Sequence, residues 1–350
     1  MTSQLDAPVK PHRVITPFRV LVTLVLVGLL AWNLGLFRRA PRVAIITSGE
    51  GHYWDPIEAG AKRAADDYDV KLTVIRCKSE LLPQLDAIKQ ATGEHYDAIA
   101  ISPINPEGEA TLMADVAAKT QLITLDSDSP VARRLCFVGT DNYDAGRLCG
   151  QMVRDAVPGG GEVVITLGNS DKENTRLRRQ GVIDELLQRP YLPERPADAY
   201  DAELKGNDFN IVATFAAGAD SANATDMAVK AIKDHPNVKC LVGLLSYSGP
   251  ALVKAIEQSG KARQIQVVGF DVSEDTLADI EAGKIASTIM QDQFGCGYET
   301  VRLLADCAKG NSAELPVFGK KTLQCRVVKK DNVQEARQRL TGPPPATQPG

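Results

Sequence analysis

The side chains best suited to chemistry stand directly after short apolar runs that have the composition of buried strands. Asp126 follows QLITL, Asp271 follows QVVGF and Gln291 follows ASTIM. Arg178 lies on the predicted helix that comes after the run EVVITLG. Because ligands of parallel sheets bind beyond the carboxyl ends of the strands, we expect these four side chains to converge. Such groups both accept hydrogen bonds from hydroxyl groups and donate to them.

Two adjacent aromatic residues, Tyr53 and Trp54, follow the first apolar run, RVAIIT. Aromatic rings in this position can cover the apolar face of a sugar ring and remove it from water. The alternative is that both rings belong to the core. Asp126 and Asp271 have an alternative role too, because aspartate often caps the helix that follows it. Further candidates for ligand contact are His52, Ser127, Asp128, Ser246 and Tyr247.

Other kinds of chemistry are poorly represented. No histidine, carboxylate and nucleophile stand at a recognisable catalytic spacing, and the four histidines are too scattered for a metal site. The GEG at 49–51 follows a strand, but position 54 is tryptophan where a dinucleotide loop needs its third glycine. We therefore predict no catalytic residue, no metal and no cofactor.

The composition sets wider limits. The chain has 350 residues and 44% hydrophobic residues, which is typical of a globular protein of about two domains. With 40 basic and 44 acidic residues it is mildly acidic, which argues against a nucleic-acid partner. The seven cysteines are widely spaced and contain no CxxC pair, so we expect small buried apolar residues.

The amino-terminal region contains an apolar run, VLVTLVLVGLLAWNLGLF at 20–37, that has no charged residue. As a helix its 18 residues span about 27 Å, close to the roughly 30 Å of a bilayer core. The following GLFRRAPR fits a signal-peptidase site badly. We therefore expect a cytoplasmic tip and an uncleaved signal anchor over 1–41, with its helix at about 18–37; a cleaved signal is the alternative.

From residue 42 onward, short apolar runs alternate with segments of helical spacing. This pattern predicts an α/β fold with parallel sheets covered by helices on both faces. The rhythm restarts after Thr140, which indicates two α/β units of similar size. The polar, proline-rich stretch 188–209 is predicted to be a surface loop, and 341–350 a disordered tail.

The body of the chain resembles the type I periplasmic sugar-binding proteins, the ribose-binding-like receptors of ABC importers. The resemblance covers about 42–330 and rests on segments in matching order, among them RVAIITSGEGHYWDPIEAGAKRAA, LITLDSDSP, FVGTDNYDAG, TRLRRQGV and VVGFDVSEDTLADIEAGKIASTIMQ. It implies that Tyr53 and Trp54 stack on a sugar. It further implies ligand contacts for Asp126, Arg178, Asp271 and Gln291.

The resemblance implies two lobes joined by three crossovers, near 140–142, 291–293 and 320–323, with the ligand between lobes that close like a hinge. We accordingly expect one lobe from 42–140 with 292–322 and the other from 141–291 with 323–340. Some positions depart from the family pattern. Ser127 replaces an arginine, Leu245 an asparagine, Ala219 an aromatic residue and Gly51 an asparagine. These changes make ribose itself doubtful, while a sugar remains favoured.

The predicted function is a non-enzymatic receptor of the cell envelope for a monosaccharide or polyol, working with an ABC permease or a membrane sensor. Two alternatives are a nucleotide-dependent enzyme on a doubly wound fold and a protein-docking or sensor domain without a role in transport. A third, the effector domain of a transcription regulator, would need a basic recognition helix. The apolar run occupies that part of the chain instead.

Overall fold

The computed structural model describes residues 20–22, 24–27, 39–192, 194–218 and 220–341. The chain divides into two compact units, 1–40 and 41–350. In the first unit, residues 20–22 and 24–27 are helical with exposed side chains. Within the described ranges, no helix is both long enough and apolar enough to cross a bilayer. Most of the predicted anchor at 18–37, and the predicted tail apart from its first residue, lie outside those ranges.

The second unit alternates strands and helices along its whole length. The strands are β1 (Arg42–Ile46), β2 (Lys71–Ile75), β3 (Ala98–Ile101), β4 (Gln121–Leu125), β5 (Cys136–Thr140), β6 (Gly161–Leu167), β7 (Leu204–Lys205), β8 (Phe209–Ala216), β9 (Val238–Gly243), β10 (Gln266–Phe270), β11 (Ser287–Met290), β12 (Lys320–Leu323) and β13 (Arg326–Val328). The helices are α1 (Trp54–Tyr68), α2 (Leu81–Gly93), α3 (Ala110–Lys119), α4 (Asn142–Ala156), α5 (Glu173–Leu186), α6 (Ser221–Asp234), α7 (Ser248–Gln258), α8 (Glu274–Glu281), α9 (Gln293–Ala308) and α10 (Val333–Thr341).

These elements form two sheets, each the centre of one lobe. The first has the order β12-β5-β4-β3-β1-β2 and the second β13-β11-β10-β9-β6-β8-β7. All pairs of the first sheet are parallel. The second sheet is parallel except at its edges, where β13 and β7 run antiparallel to their neighbours. The prediction of two α/β lobes built on parallel sheets is therefore confirmed.

Both faces of each sheet are covered, which explains why the strands are continuous apolar runs. In β1, Val43 and Ile45 face the layer of α1 and α9. Ala44 and Ile46 face the opposite layer, formed by α2 and α3. The second sheet is sandwiched in the same way, with α4 and α5 on one face. Helices α6, α7, α8 and α10 cover its other face.

Glycines allow the closest helix pairs to approach each other. A Cβ at Gly297 in α9 would lie 1.8 Å from the carbonyl oxygen of Ile57 in α1. In the second lobe, a Cβ at Gly146 in α4 would lie 2.2 Å from the carbonyl oxygen of Arg178 in α5. Since no side chain fits at these distances, the positions of α1 and α5 depend on glycine.

The chain passes between the two sheets three times: after β5, after β11, and between β12 and β13. The first two passages lie at the expected positions. The third differs, because residues 320–323 form β12 of the first sheet and the passage lies between Leu323 and Arg326. The sequence pattern predicts a single strand near 322–328, where the structure has β12 and β13, and it does not identify β5 as a strand. A short edge run such as KKTL carries no apolar periodicity, so the pattern does not separate β12 from β13.

Candidate functional site

Gln291 lies at the centre of a hydrogen-bond network that joins both lobes. Its Nε2 donates to the carboxylate of Asp271, at 2.6 Å, and to the hydroxyl of Tyr53, at 3.2 Å. Its Oε1 accepts from Thr140 Oγ1, at 2.8 Å, and from Arg178 Nη2, at 3.1 Å. Gln291 is the first residue after β11, beside the second passage between the sheets. One amide therefore connects the first lobe, the hinge and the second lobe.

Asp126 carries the network into the first lobe. Its Oδ1 accepts a hydrogen bond of 2.7 Å from the Tyr53 hydroxyl, and its Oδ2 accepts one of 3.1 Å from Ser102 Oγ. Ser102 Oγ in turn lies 3.2 Å from Ser48 Oγ. Tyr53, Ser102 and Asp126 follow β1, β3 and β4, which are adjacent strands, so the sheet itself brings them together.

Both site aspartates have a left-handed backbone. The φ angle is 62° at Asp126 and 66° at Asp271. Each is the first residue after its strand, β4 or β10. Non-glycine residues adopt this region at a cost, and aspartate is one of the few that tolerate it. The same local geometry in both lobes turns each carboxylate away from the strand direction and toward the network.

Arg178 is 1% exposed and is held on several sides. Its Nε donates to Asn142 Oδ1 at 2.9 Å, and its Nη1 donates to the carbonyl of Leu244 at 3.2 Å. The guanidinium carbon lies 3.9 Å from the ring centroid of Phe270. A buried guanidinium with this many contacts is fixed in orientation before any ligand arrives, which favours specific recognition.

Two buried side chains hold the loops of the first lobe in place. Gln84 of α2 donates from Nε2 to the carbonyls of Thr47 and Ser102 and accepts from the backbone N–H of Ile104. Glu109 accepts from the backbone N–H groups of Ile104 and Asn105. Gln84 thereby ties the loop after β1 to the loop after β3, the two loops that carry Ser48 and Ser102.

Burial shifts the ionisation of the site. It raises the pKa of Asp271 to about 6, while the charge of Arg178 and the hydrogen bond from Gln291 oppose the rise. Burial and the nearby carboxylates also raise the pKa of Tyr53. Tyr53 therefore stays a neutral donor near neutral pH. The two carboxylates can accept hydrogen bonds, while Arg178 and the amide of Gln291 donate them.

The structure brings together Tyr53, Asp126, Arg178, Asp271 and Gln291 of the predicted ligand residues. Trp54 is 5% exposed and packs into the core of the first lobe, with its ring edge-on to Tyr53 at 5.5 Å. Among the other candidates, His52 is exposed and contacts Asp55. Asp128 is bound by Arg134 and Thr124 in the first lobe.

The remaining candidates occupy two loops near the network. Ser127 is fully buried next to Asp126, and its Oγ has no hydrogen-bond partner in the part of the chain described. Tyr247 donates its hydroxyl to the carbonyl of Gly218, and Ser246 is half-buried in the turn before α7. The ligand role of every candidate stays a prediction.

Sequence reasoning missed Lys172, Thr140 and Asn142. Thr140 is the last residue of β5, and Asn142 is the first residue of α4. Inspection of the strand ends identifies Thr140 once β5 is recognised as a strand. Lys172 comes directly before α5 in the second lobe, yet its Nζ donates to Ser48 Oγ of the first lobe at 2.6 Å. Lys172 lies among the polar residues that follow β6, which include Asn169, Asp171 and Arg176. Nothing in that segment distinguishes Lys172 from a surface lysine.

Comparison with known proteins gives the arrangement a context. Residues 43–312 match the family model of the periplasmic binding protein domain. The D-allose-binding periplasmic protein of Escherichia coli is 23% identical over 295 residues, which cover 81% of this chain and 89% of that protein.

Solved structures agree in fold. An ABC transporter solute-binding protein from Burkholderia graminis, in complex with D-arabinose, superimposes with a TM-score of 0.74 at 26% identity. The match covers 83% of this chain and 96% of that one. The XylFII–LytSN complex contains a chain with a TM-score of 0.73 at 22% identity, over 83% of this chain and 98% of that one.

Proposed function

The chain belongs to the periplasmic binding protein domain family, and from that premise we propose that it is a cell-envelope receptor for a monosaccharide or related polyol. The family consists of solute-binding proteins, so the proposal includes ligand binding and no chemical reaction. The ligand would lie between the two lobes, among Tyr53, Asp126, Arg178, Asp271 and Gln291.

The observation that carries this proposal is the network centred on Gln291. It combines two carboxylates, a guanidinium and an amide, contributed by both lobes and the hinge. A sugar hydroxyl donates one hydrogen bond and accepts others, so alternating acceptors and donors suit a polyhydroxyl ligand. Tyr53 adds an aromatic ring for the apolar face of such a ligand.

The mechanism we propose is hinge closure. In an open state the hydrogen-bonding groups of both lobes are solvated. A ligand that contacts Asp126 and Tyr53 on one side and Arg178 and Asp271 on the other has more contacts in the closed state. Those additional contacts shift the population toward closure. D-arabinose, D-ribose and D-allose are suitable first probes, since relatives are described as binding proteins for these sugars.

The test is a thermal-shift screen of the full chain against a panel of sugars, sugar acids and polyols, with NADH and nucleotides as negative controls. A ligand at 100 times its Kd adds about 2.7 kcal/mol of stability. We expect a clear increase in Tm with at least one sugar. A silent sugar panel, or a response confined to NADH, would contradict the proposal.

We further propose that the receptor works beside the inner membrane, anchored by the apolar run at 20–37. The run has the length of a bilayer span and no charged residue. Only a few residues separate it from β1. The test is fractionation of cells that express the full chain, followed by a carbonate wash. Recovery in the washed membrane pellet is expected; release as a fragment of the size of 42–350 would contradict anchoring.

Two versions of this function differ in the partner of the receptor, which is either an ABC permease or a membrane sensor. Relatives include an ABC transporter solute-binding protein, which favours a permease. The XylFII–LytSN complex shows that a chain of this fold also assembles with another protein. We propose a permease partner. Uptake of radiolabelled sugar that depends on the receptor supports it, whereas unchanged uptake in cells lacking the receptor contradicts it.

A further inference from the structure

Side chains at the start of α5, in the second lobe, contact residues of the first lobe. Lys172 Nζ donates to Ser48 Oγ at 2.6 Å and lies 4.0 Å from Asp126 Oδ2. The next residue, Glu173, lies near Asp128, because burial and the charge of that carboxylate raise the pKa of Glu173 to about 7. One turn farther, Arg176 lies 3.5 Å from Glu107. The start of α5 therefore contacts the loops after β1, β3 and β4 of the first lobe.

Lys172 supplies the positive charge on the first-lobe side of the cleft. Arg178 is placed beside Asp271, because both contact Gln291. Asp126 lies on the other side of Tyr53, and the cation closest to it is Lys172. Burial lowers the pKa of Lys172, and Asp126 and Glu109 are the two nearby carboxyls that oppose the fall. Among the described residues, Lys172 is the one cation within 4.0 Å of the Asp126 carboxylate.

The ammonium also has donors to spare. A lysine ammonium carries three N–H donors, and among the described residues one hydrogen bond, to Ser48 Oγ, is made. Its side-chain exposure is 17%, so water does not fully replace the missing partners. Lysine is a compact charge on a flexible stem. A small rotation therefore brings Nζ from Ser48 to an oxygen atom placed beside Asp126.

We propose that Lys172 is a ligand-contacting residue that determines specificity, making the cleft select a neutral polyol over its amine-bearing analogue. This inference rests on the proposed function. The ammonium donates to a ligand hydroxyl that itself donates to Asp126. A ligand with an amine at that position would place a second cation against Lys172 and is rejected. Removing the lysine charge leaves Asp126 to attract such an amine instead.

The experiment compares the full wild-type chain with Lys172→Met and Lys172→Arg. Isothermal titration at pH 6.5, where sugar amines are protonated, gives the Kd values of D-ribose, D-allose, D-glucose and D-galactose. Each sugar is paired with its 2-amino-2-deoxy analogue. Lys254→Met is the matched control, since it removes the same charge from an exposed position on α7. Thermal unfolding confirms that each variant is folded.

In the wild type and in Lys254→Met, the neutral sugar is expected to bind more tightly than its amine. In Lys172→Met, the neutral sugar loses at least tenfold in affinity, and the ratio of amine Kd to neutral Kd falls at least tenfold. Lys172→Arg keeps the wild-type ratio, because it keeps the charge. An unchanged ratio in Lys172→Met, or equal ratios in the Met and Arg variants, would overturn the inference while leaving the receptor function intact. A wild-type chain that binds none of the sugars would refute the proposed function itself, and this inference with it.

Discussion

At the scale of single residues, the candidate site lowers the stability of the fold. Asp271 is 3% exposed, has a left-handed backbone and carries an ionisable group whose pKa burial raises to about 6. A group of this kind destabilises the fold when ionised, because an exposed aspartate in the unfolded chain is ionised at lower pH. Residues that reduce stability in this way persist where they bind something, which is the reason to test Asp271 first.

We predict that Asp271→Asn weakens binding of the best sugar by at least tenfold, about 1.4 kcal/mol. Asparagine tolerates a positive φ and can still accept from Gln291 Nε2, so the fold is kept. What is lost is the charged acceptor for a ligand hydroxyl. Isothermal titration measures the change. Wild-type affinity in this variant would remove Asp271 from the site.

The same variant makes a prediction about pH. The folded-state pKa of Asp271 is about 6, above the ordinary 3.8, so between these values the folded state holds the proton that the unfolded state has released. The contribution of Asp271 to stability is therefore greatest below about pH 4 and is lost as the pH rises through 6. The loss is at most about 3 kcal/mol.

Asp271→Asn is accordingly expected to be more stable than the wild type at about pH 7.5, with the difference shrinking toward about pH 4. Urea unfolding of the ligand-free chain at several pH values measures it. Asp226→Asn, at an exposed position on α6, should show no such trend. A pH-independent difference for Asp271→Asn would mean that the carboxyl is not buried in its ionised form.

At the scale of the elements, the site depends on how closely α4 and α5 approach. Arg178 projects from α5, and the carbonyl of that same residue lies against Gly146 of α4. Packing of this kind transmits a change in one helix to the side chains of the other, since interiors are close-packed. The first lobe has a similar arrangement between Gly297 and Ile57, whose turn of α1 directly follows Tyr53.

Gly146→Ala is expected to destabilise the protein by roughly 2 kcal/mol and to weaken ligand binding as well, because α5 must move away. Gly93→Ala is the control, since a Cβ at Gly93 of α2 meets nothing within 4 Å. It should be neutral or stabilise the helix by up to about 1 kcal/mol. Thermal unfolding and titration measure both properties. Equal behaviour of the two variants would contradict the packing argument.

Gln84 makes an independent prediction for the first lobe. Gln84→Leu leaves the carbonyls of Thr47 and Ser102 without their side-chain donor, while the N–H of Ile104 keeps Glu109; this costs roughly 2 kcal/mol or more. It also frees the loops that carry Ser48 and Ser102, so affinity should fall. Gln90→Leu, at an exposed position on the same helix, should change neither property. Full affinity in Gln84→Leu would show that the loops hold their positions without it.

At the scale of the whole molecule, an exposed ion pair joins the two lobes beside the candidate site, and the closure we propose would bring its two charges together. Arg176 of the second lobe and Glu107 of the first are 3.5 Å apart, and Glu107 is largely exposed. Exposed ion pairs contribute about 0.2–1 kcal/mol. The pair therefore biases closure weakly, and most of the free energy of closure has to come from the ligand.

Arg176→Glu is predicted to weaken ligand binding about two- to fivefold, because closure now brings like charges together. Glu107→Lys in the same chain should restore the affinity. Small-angle X-ray scattering should show a smaller radius of gyration when ligand is added to the wild type or to the double variant. A double variant no better than Arg176→Glu would mean that these side chains do not meet on closure.

The sequence by itself determined the class of fold and the strand ends at which most of the candidate site lies. Apolar runs that are buried on both faces can only be strands of a covered parallel sheet, and the residues after such strands must share an edge. That reasoning placed Asp126, Asp271 and Gln291 correctly at strand ends. It could not separate Tyr53, whose hydroxyl reaches Asp126, from Trp54, which packs inside, because adjacent residues leave a helix start in different directions.

Only the tertiary structure decided which residues meet across the lobes. Lys172 is 46 residues beyond Asp126 in the chain, and no local pattern links them. Their approach depends on the hinge geometry and on the position of α5, which Gly146 sets by allowing contact with α4. Contacts between rigid bodies are decided by the relative placement of whole lobes. Periodicity and spacing describe each lobe separately, and so they contain no information about that placement.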